Sequence, residues 1–155
     1  MPVLDCHENS LSHHVNQGES WLEQSDGGQK TAALSYAALE FRFAIERLAV
    51  QYWTTLLKRP LRHDDLDKIA TYKRLESRLY ELAGHQRKID GHFAFMRAVC
   101  EVAKIPAHLP TPNLGLLSKH WHSCSELCHI AWPLGSMAEP YRDAAYRALC
   151  QVLAA

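Results

Sequence analysis

The chain has no excess of either charge: 17 lysines and arginines balance 17 aspartates and glutamates over 155 residues. That balance excludes a strongly basic nucleic-acid module or a polybasic membrane binder as a reading of the whole chain, while leaving room for a local patch. No apolar run approaches the roughly 18 residues needed to cross a bilayer, and the opening MPVLDCHENS holds no basic stretch followed by an apolar one. A cytoplasmic protein with no membrane partner is the expectation. Strand-like alternation, Val/Ile/Thr clusters and hairpin turn pairs are missing, so no sheet is expected. The phosphate-cradling glycine loop and the strained serine elbow of the hydrolases are missing too. The five cysteines, Cys6, Cys100, Cys124, Cys128 and Cys150, are odd in number, and four sit in apolar helical context. With no loop Cys-x-x-Cys, they fit a reducing compartment and not a disulfide framework.

What is present is helical periodicity cut by breakers. It predicts an all-α fold, a helical bundle of about five helices in a single domain over 1–155. Ser25-Asp26-Gly27-Gly28 separates a helix of about Ser10–Gln24 from a long one of about Thr31–Lys58. Arg59-Pro60 ends the second, and Asp64 and Asp67 give the third an acidic start. Pro106, Pro110 and Pro112 mark a loop, after which Asn113 caps a helix that Trp132-Pro133 closes. Ser136 and Glu139 have capping-box spacing ahead of a last helix to about Leu153, with Pro140 in its first turn.

The third segment carries a heptad seam: Tyr72, Leu75, Leu79, Leu82, Gln86, Ile89, Phe93, Met96, Cys100 and Ala103, at alternating spacings of three and four. A single helix over 66–104 would be about 58 Å long. Gly84 and Gly91 each disfavour helix by about 1 kcal/mol, so two helices in register across a kink near 84–91 are the competing form. A seam of this kind serves self-association through helices as well as an internal bundle, and Gln86 within it is placed to pair with another polar group.

The helix from Leu114 to Trp132 sets Lys119, His122, Glu126 and His129 on one narrow polar stripe, opposite Leu114, Leu117, Trp121, Cys124, Cys128 and Trp132. The stripe is either a solvent edge or the wall of a polar cleft. On the second helix Glu40, Arg47, Gln51 and Lys58 line up as the solvent face. Arg42 and Glu46 project to the apolar side, four residues apart and able to pair. A charged pair there is either a partly buried structural pair or one side of a cleft in which Arg42 and Glu46 meet His122, Glu126 and His129. Glu126 and His129 have the Glu-x-x-His spacing of di-iron bundles, but no second such pair exists. His120, Cys124 and Cys128 are ligand types for zinc on a face that reads as core, so neither a metal nor any other cofactor is expected.

Around the glycines, Gly84-His-Gln-Arg-Lys-Ile-Asp-Gly-His92 separates Arg87 and His92 by four intervening residues, and six separate Arg78 from His85. In this motif, its size and its helix content the chain resembles the HEPN group of small all-helical domains. The resemblance implies a metal-independent ribonuclease of a toxin-antitoxin or phage-defence system, with RNA as substrate and dimerisation joining two half-sites. Its catalytic pair would be Arg87 and His92, the imidazole moving a proton and the guanidinium holding phosphate. The family usually has an uncharged polar residue after the Arg where this chain has Lys88. On an unbroken helix Arg87 and His92 lie about 140° apart, which makes Arg78 and His85 the fallback pair. A non-catalytic oligomerisation or adaptor bundle with a protein partner, and a metal-binding bundle, are the alternatives.

Overall fold

Several breaks in the sequence pattern become helix ends in the computed structural model, which describes residues 10–59, 62, 64–65, 72–134 and 139–155, with the backbone alone for 72–74 and 129–134. Six helices make up the fold among these residues: α1 (Leu11–Gln24), α2 (Thr31–Leu57), α3 (Tyr72–Ala83), α4 (Gln86–Val102), α5 (Leu114–Leu134) and α6 (Glu139–Ala154). No strand occurs among the described residues. The all-α bundle is what the periodicity calls for. None of these helices is long and apolar enough to cross a membrane. The chain groups into two compact units, Met1–Leu48 with Lys119–Ala155, and Ala49–Ser118; the boundaries fall within α2 and α5.

In the first unit the packing is set by small residues. Ala33, Leu34, Ala37, Ala38, Phe41, Ala44 and Ile45 of α2 are buried at helical spacing, joined by Leu22 of α1, Trp121 and Cys124 of α5, and Ala145 and Leu149 of α6. Gly18 of α1 lets the Phe41 ring come so close that an added Cβ would sit 2.4 Å from its Cε1. Ser10 caps α1, accepting from His13 N at 3.1 Å. The α1–α2 turn is held by Ser25, whose buried hydroxyl donates to Leu22 O at 2.6 Å and accepts from Gly28 N. Gly28, at φ +94°, faces Tyr146 with no room for a side chain.

In the second unit the 66–104 seam is not one helix. α3 ends at Ala83, Gly84 and His85 form a turn, and α4 begins at Gln86. Of the two glycines, Gly84 marks the break, while Gly91, whose Cβ would meet nothing, leaves α4 continuous. Residues 66–71 lie outside the described residues. Leu79, Leu82, Ile89 and Leu114 form the buried centre. Gln86 supplies the polar pairing expected of it: its amide donates to Asp90 Oδ1 and Pro112 O, both at 2.7 Å, and its carbonyl accepts from Leu114 N at 2.8 Å. One side chain thus ties the proline loop and the first turn of α5 to α4. Asn113 caps α5 through Leu116 N, Ser118 Oγ donates to Leu79 O, and Arg97 holds Leu109 O and Thr111 Oγ1.

Two boundaries differ from expectation. α5 runs past Trp132-Pro133 to Leu134; a proline stops a helix less surely than it weakens one backbone bond. Ser136, the expected cap of α6, lies outside the described residues, as does Asp67.

Candidate functional site

Two polar clusters stand out, one in each unit. In the first, Arg42 and Glu46 form the pair their spacing calls for, with Arg42 Nε 2.9 Å from Glu46 Oε1 and side chains 18% and 24% exposed. The residue that completes the cluster was not evident from the pattern. Trp121, fully enclosed on the apolar side of α5, donates its indole Nε1–H to the same Glu46 oxygen at 3.0 Å, and the Arg42 guanidinium lies 5.5 Å over its ring. A buried indole N–H needs an acceptor, and a half-buried carboxylate needs compensation. Each requirement meets the other, and Arg42 neutralises the pair while stacking on the ring.

Cys124 and Cys128 border this cluster. Burial pushes the Cys124 thiol up to about 12, with Cys128 adding to the rise and Arg42 opposing it. Burial also raises Cys128, where Arg42 pulls down and Glu46 pushes up. Both thiols are therefore protonated near neutral pH and poor nucleophiles. His120 is pushed the other way, its pKa lowered by burial. Among the described residues no three His, Cys, Asp or Glu side chains are grouped as a metal site.

His122 and Glu126 sit elsewhere on α5. They pair with each other at 3.3 Å with side chains 47% and 59% exposed, so this stretch of the polar stripe is a solvent edge. Glu126 also lines a shallow cavity of about 220 Å³ with Ser123, Leu127 and Tyr141. The side chain of His129 lies outside the described residues. Glu40 is not simply on the solvent face: its Oε2 is 2.7 Å from Nδ1 of the buried His14, whose ring packs on Phe43. The pair joins α1 to α2, and the long gap between 14 and 40 leaves no local signal for it.

In the second unit, α4 is helical straight through Gly91, so Arg87 and His92 project from it about 140° apart, both exposed. The fallback pair is closer to a site. The turn at Gly84-His85 brings His85 edge-on to Trp53 at 5.9 Å, and the Arg78 guanidinium lies 5.9 Å over the same ring. Glu81 Oε2 accepts from Arg78 Nη1 at 2.6 Å. Trp53 Nε1 is buried without a hydrogen-bond partner among the described residues. Beside it Tyr52, its pKa raised by burial, meets Phe93, and Phe93 meets His92.

The third feature is a surface. α4 carries apolar residues on two sides, between charged ones. Ile89, Phe93 and Cys100 turn inward, whereas Gly91, Ala94, Phe95, Ala98, Val99 and Val102 fall within about 140° on the opposite side, all exposed. Phe95 is 65% exposed and Val102 86%. From Gly91 to Val102 this side is apolar, with Arg87 and Lys88 at its N-terminal end. Nothing among the described residues covers it.

Compared with family models, curated proteins and solved structures, the chain matches none.

Proposed function

We propose that the protein is a non-catalytic helical assembly module that binds another protein chain through the open face of α4. The observation that carries this reading is the exposure of Phe95, Val99 and Val102 on the side of α4 opposite its buried residues. Isolated apolar residues on a surface are ordinary; a contiguous apolar helix face marks an interaction site. The clusters described above favour this over chemistry. Arg42, Glu46 and Trp121 satisfy one another, and the neighbouring thiols are held in the protonated form. The test is co-purification of the full chain and its Phe95→Asp and Val102→Asp variants from their native host under mild conditions. The charged variants lose whatever chain, second copy or other protein, accompanies the wild type, while their circular dichroism stays helical. Identical assemblies from all three proteins overturn the reading.

A second reading has its own observation. Arg78 and His85, spaced as in HEPN-like ribonucleases, both rest on Trp53, an arrangement in which a base would stack while guanidinium and imidazole address the phosphate and its proton. The Glu81 carboxylate beside Arg78 competes with phosphate for it, which weighs against this reading. Cleavage of a mixed RNA pool by the wild type, lost in Arg78→Ala and His85→Ala and retained in Arg87→Ala, would establish it.

A further inference from the structure

Resting on the assembly reading, we infer that the partner of α4 is α4 of a second copy of this chain, packed antiparallel about a two-fold axis near Ala94 and Phe95. Three features of the helix lead there.

Area comes first. Phe95, Val99 and Val102 are exposed in a row with the alanines between them, a patch on the order of the few hundred Å² that marks an interaction site and that one side of a standard interface of about 800 Å² takes up. A second copy of the same face is large enough to cover it.

The second is shape. Gly91, Ala94 and Ala98 form a ridge of small residues along one side of the face, beside Phe95, Val99 and Val102, and a Cβ added at Gly91 would meet open space. Small residues let two helices approach to the short end of the usual 8–10 Å separation. In an antiparallel pair centred between Ala94 and Phe95, Gly91 of one copy lies opposite Ala98 of the other. The flanking Phe95 and Val99 then fill the grooves beside the ridge.

Charge is the third. Arg87 and Glu101 lie toward opposite ends of α4, on the same flank of the face, exposed and with no ion pair among the described residues. An antiparallel pair with its axis at Ala94 sets Arg87 of each copy opposite Glu101 of the other, twice. A parallel two-fold pair carries this flank of the two copies to opposite sides of the seam, so Arg87 and Glu101 never meet. The charge pattern therefore selects the antiparallel form.

The register is tested by cross-linking between single-cysteine additions in the full chain. Gly91→Cys and Ala98→Cys proteins, mixed and mildly oxidised, give a disulfide-linked heterodimer, because the two positions face one another within the Cα separation of a disulfide. Each variant alone gives no such product, since its own two copies lie about 10 Å apart along the helix axes. Self-cross-linking of each variant alone would mean a parallel pair and overturns the inference. In sedimentation velocity the wild type dimerises. Glu101→Arg and Arg87→Glu each weaken the dimer about tenfold, and the double variant regains it. A wild type monomeric at all concentrations overturns the self-pairing. If Phe95→Asp still abolishes co-purification with another protein, the assembly reading survives that failure; if it does not, both fall.

Discussion

The part of α2 in the first unit and α4 in the second are built with the same device, a ridge of small residues with larger apolar ones beside it, and they end in opposite states. On α2 the ridge of Ala33, Ala37, Ala38 and Ala44 is covered, and Phe41 beside it presses on Gly18 of α1. On α4 the ridge of Gly91, Ala94 and Ala98 faces outward with Phe95 beside it. The charges at their margins differ accordingly. Glu40 and Glu46 on α2 find His14, Arg42 and Trp121, whereas Arg87 and Glu101 on α4 form no ion pair among the described residues. A small-residue ridge announces close helix packing; whether its partner is in the same unit is told by where the flanking charges find theirs.

The largest effect expected from this contrast is between its two phenylalanines. Phe41→Ala removes a buried ring from around a glycine and costs about 3–5 kcal/mol. Phe95→Ala, removing a ring that is mostly in water, changes the stability of the dilute chain by less than about 0.5 kcal/mol. Urea melts at micromolar protein measure both. Raising the protein concentration sharpens the comparison: wild type gains stability through association, and Phe95→Ala does not. A Phe95→Ala loss comparable to that of Phe41→Ala in dilute solution would show that the α4 face is internal after all.

Burial in the first unit also predicts a pH response. The unfolded chain releases the Cys124 proton near pH 9, and the folded chain holds it up to about 12. The folded state therefore binds more protons across that window, and stability falls as pH rises through it, by at most about 1.4 kcal/mol per pH unit for one thiol. Cys128 and Tyr52, raised by burial, act in the same direction. Cys124→Ala should flatten the alkaline limb of stability measured from about pH 8 to 10.5. An unchanged slope would mean that the thiol is not held in the apolar interior.

Much of the fold was legible in the sequence because helix boundaries are local. Ser10, Gly28 and Asn113 act within three residues of themselves, and a single sequence carries that information in full. The Arg42–Glu46 pair was legible for the same reason, as an i,i+4 contact. What escaped depends on residues distant in the chain. Trp121 reads as an apolar core residue, and only the approach of α2 to α5 shows that its N–H completes a cluster 75 positions away. Trp53 likewise reads as core until the turn at Gly84 brings Arg78 and His85 onto its ring. The seam over 72–103 was legible as a pattern, but it is indifferent to a two-residue interruption: the turn at Gly84-His85 preserves the spacing on either side. Periodicity also registers the inward residues Ile89, Phe93 and Cys100 without revealing that Phe95, Val99 and Val102 have no cover.

The smallest expected effects separate two i,i+4 pairs that look alike in sequence, Arg42–Glu46 and His122–Glu126. Glu46→Ala removes the carboxylate to which both Arg42 Nε and the enclosed Trp121 Nε1 donate; taking an acceptor from buried donors costs about 1–3 kcal/mol. Glu126→Ala breaks a contact whose partners are about half in water, where screening and side-chain entropy consume most of the attraction, and shifts stability by less than about 0.5 kcal/mol. Salt distinguishes them further. Raising ionic strength from about 0.1 to 1 M shortens the screening length from about 10 to 3 Å, which should erase the Glu126 effect and leave most of the Glu46 effect, since the latter is a lost hydrogen bond more than a lost charge. Equal and salt-sensitive losses in the two variants would place Arg42 and Glu46 on the surface and remove the main distinction between the covered helix and the open one.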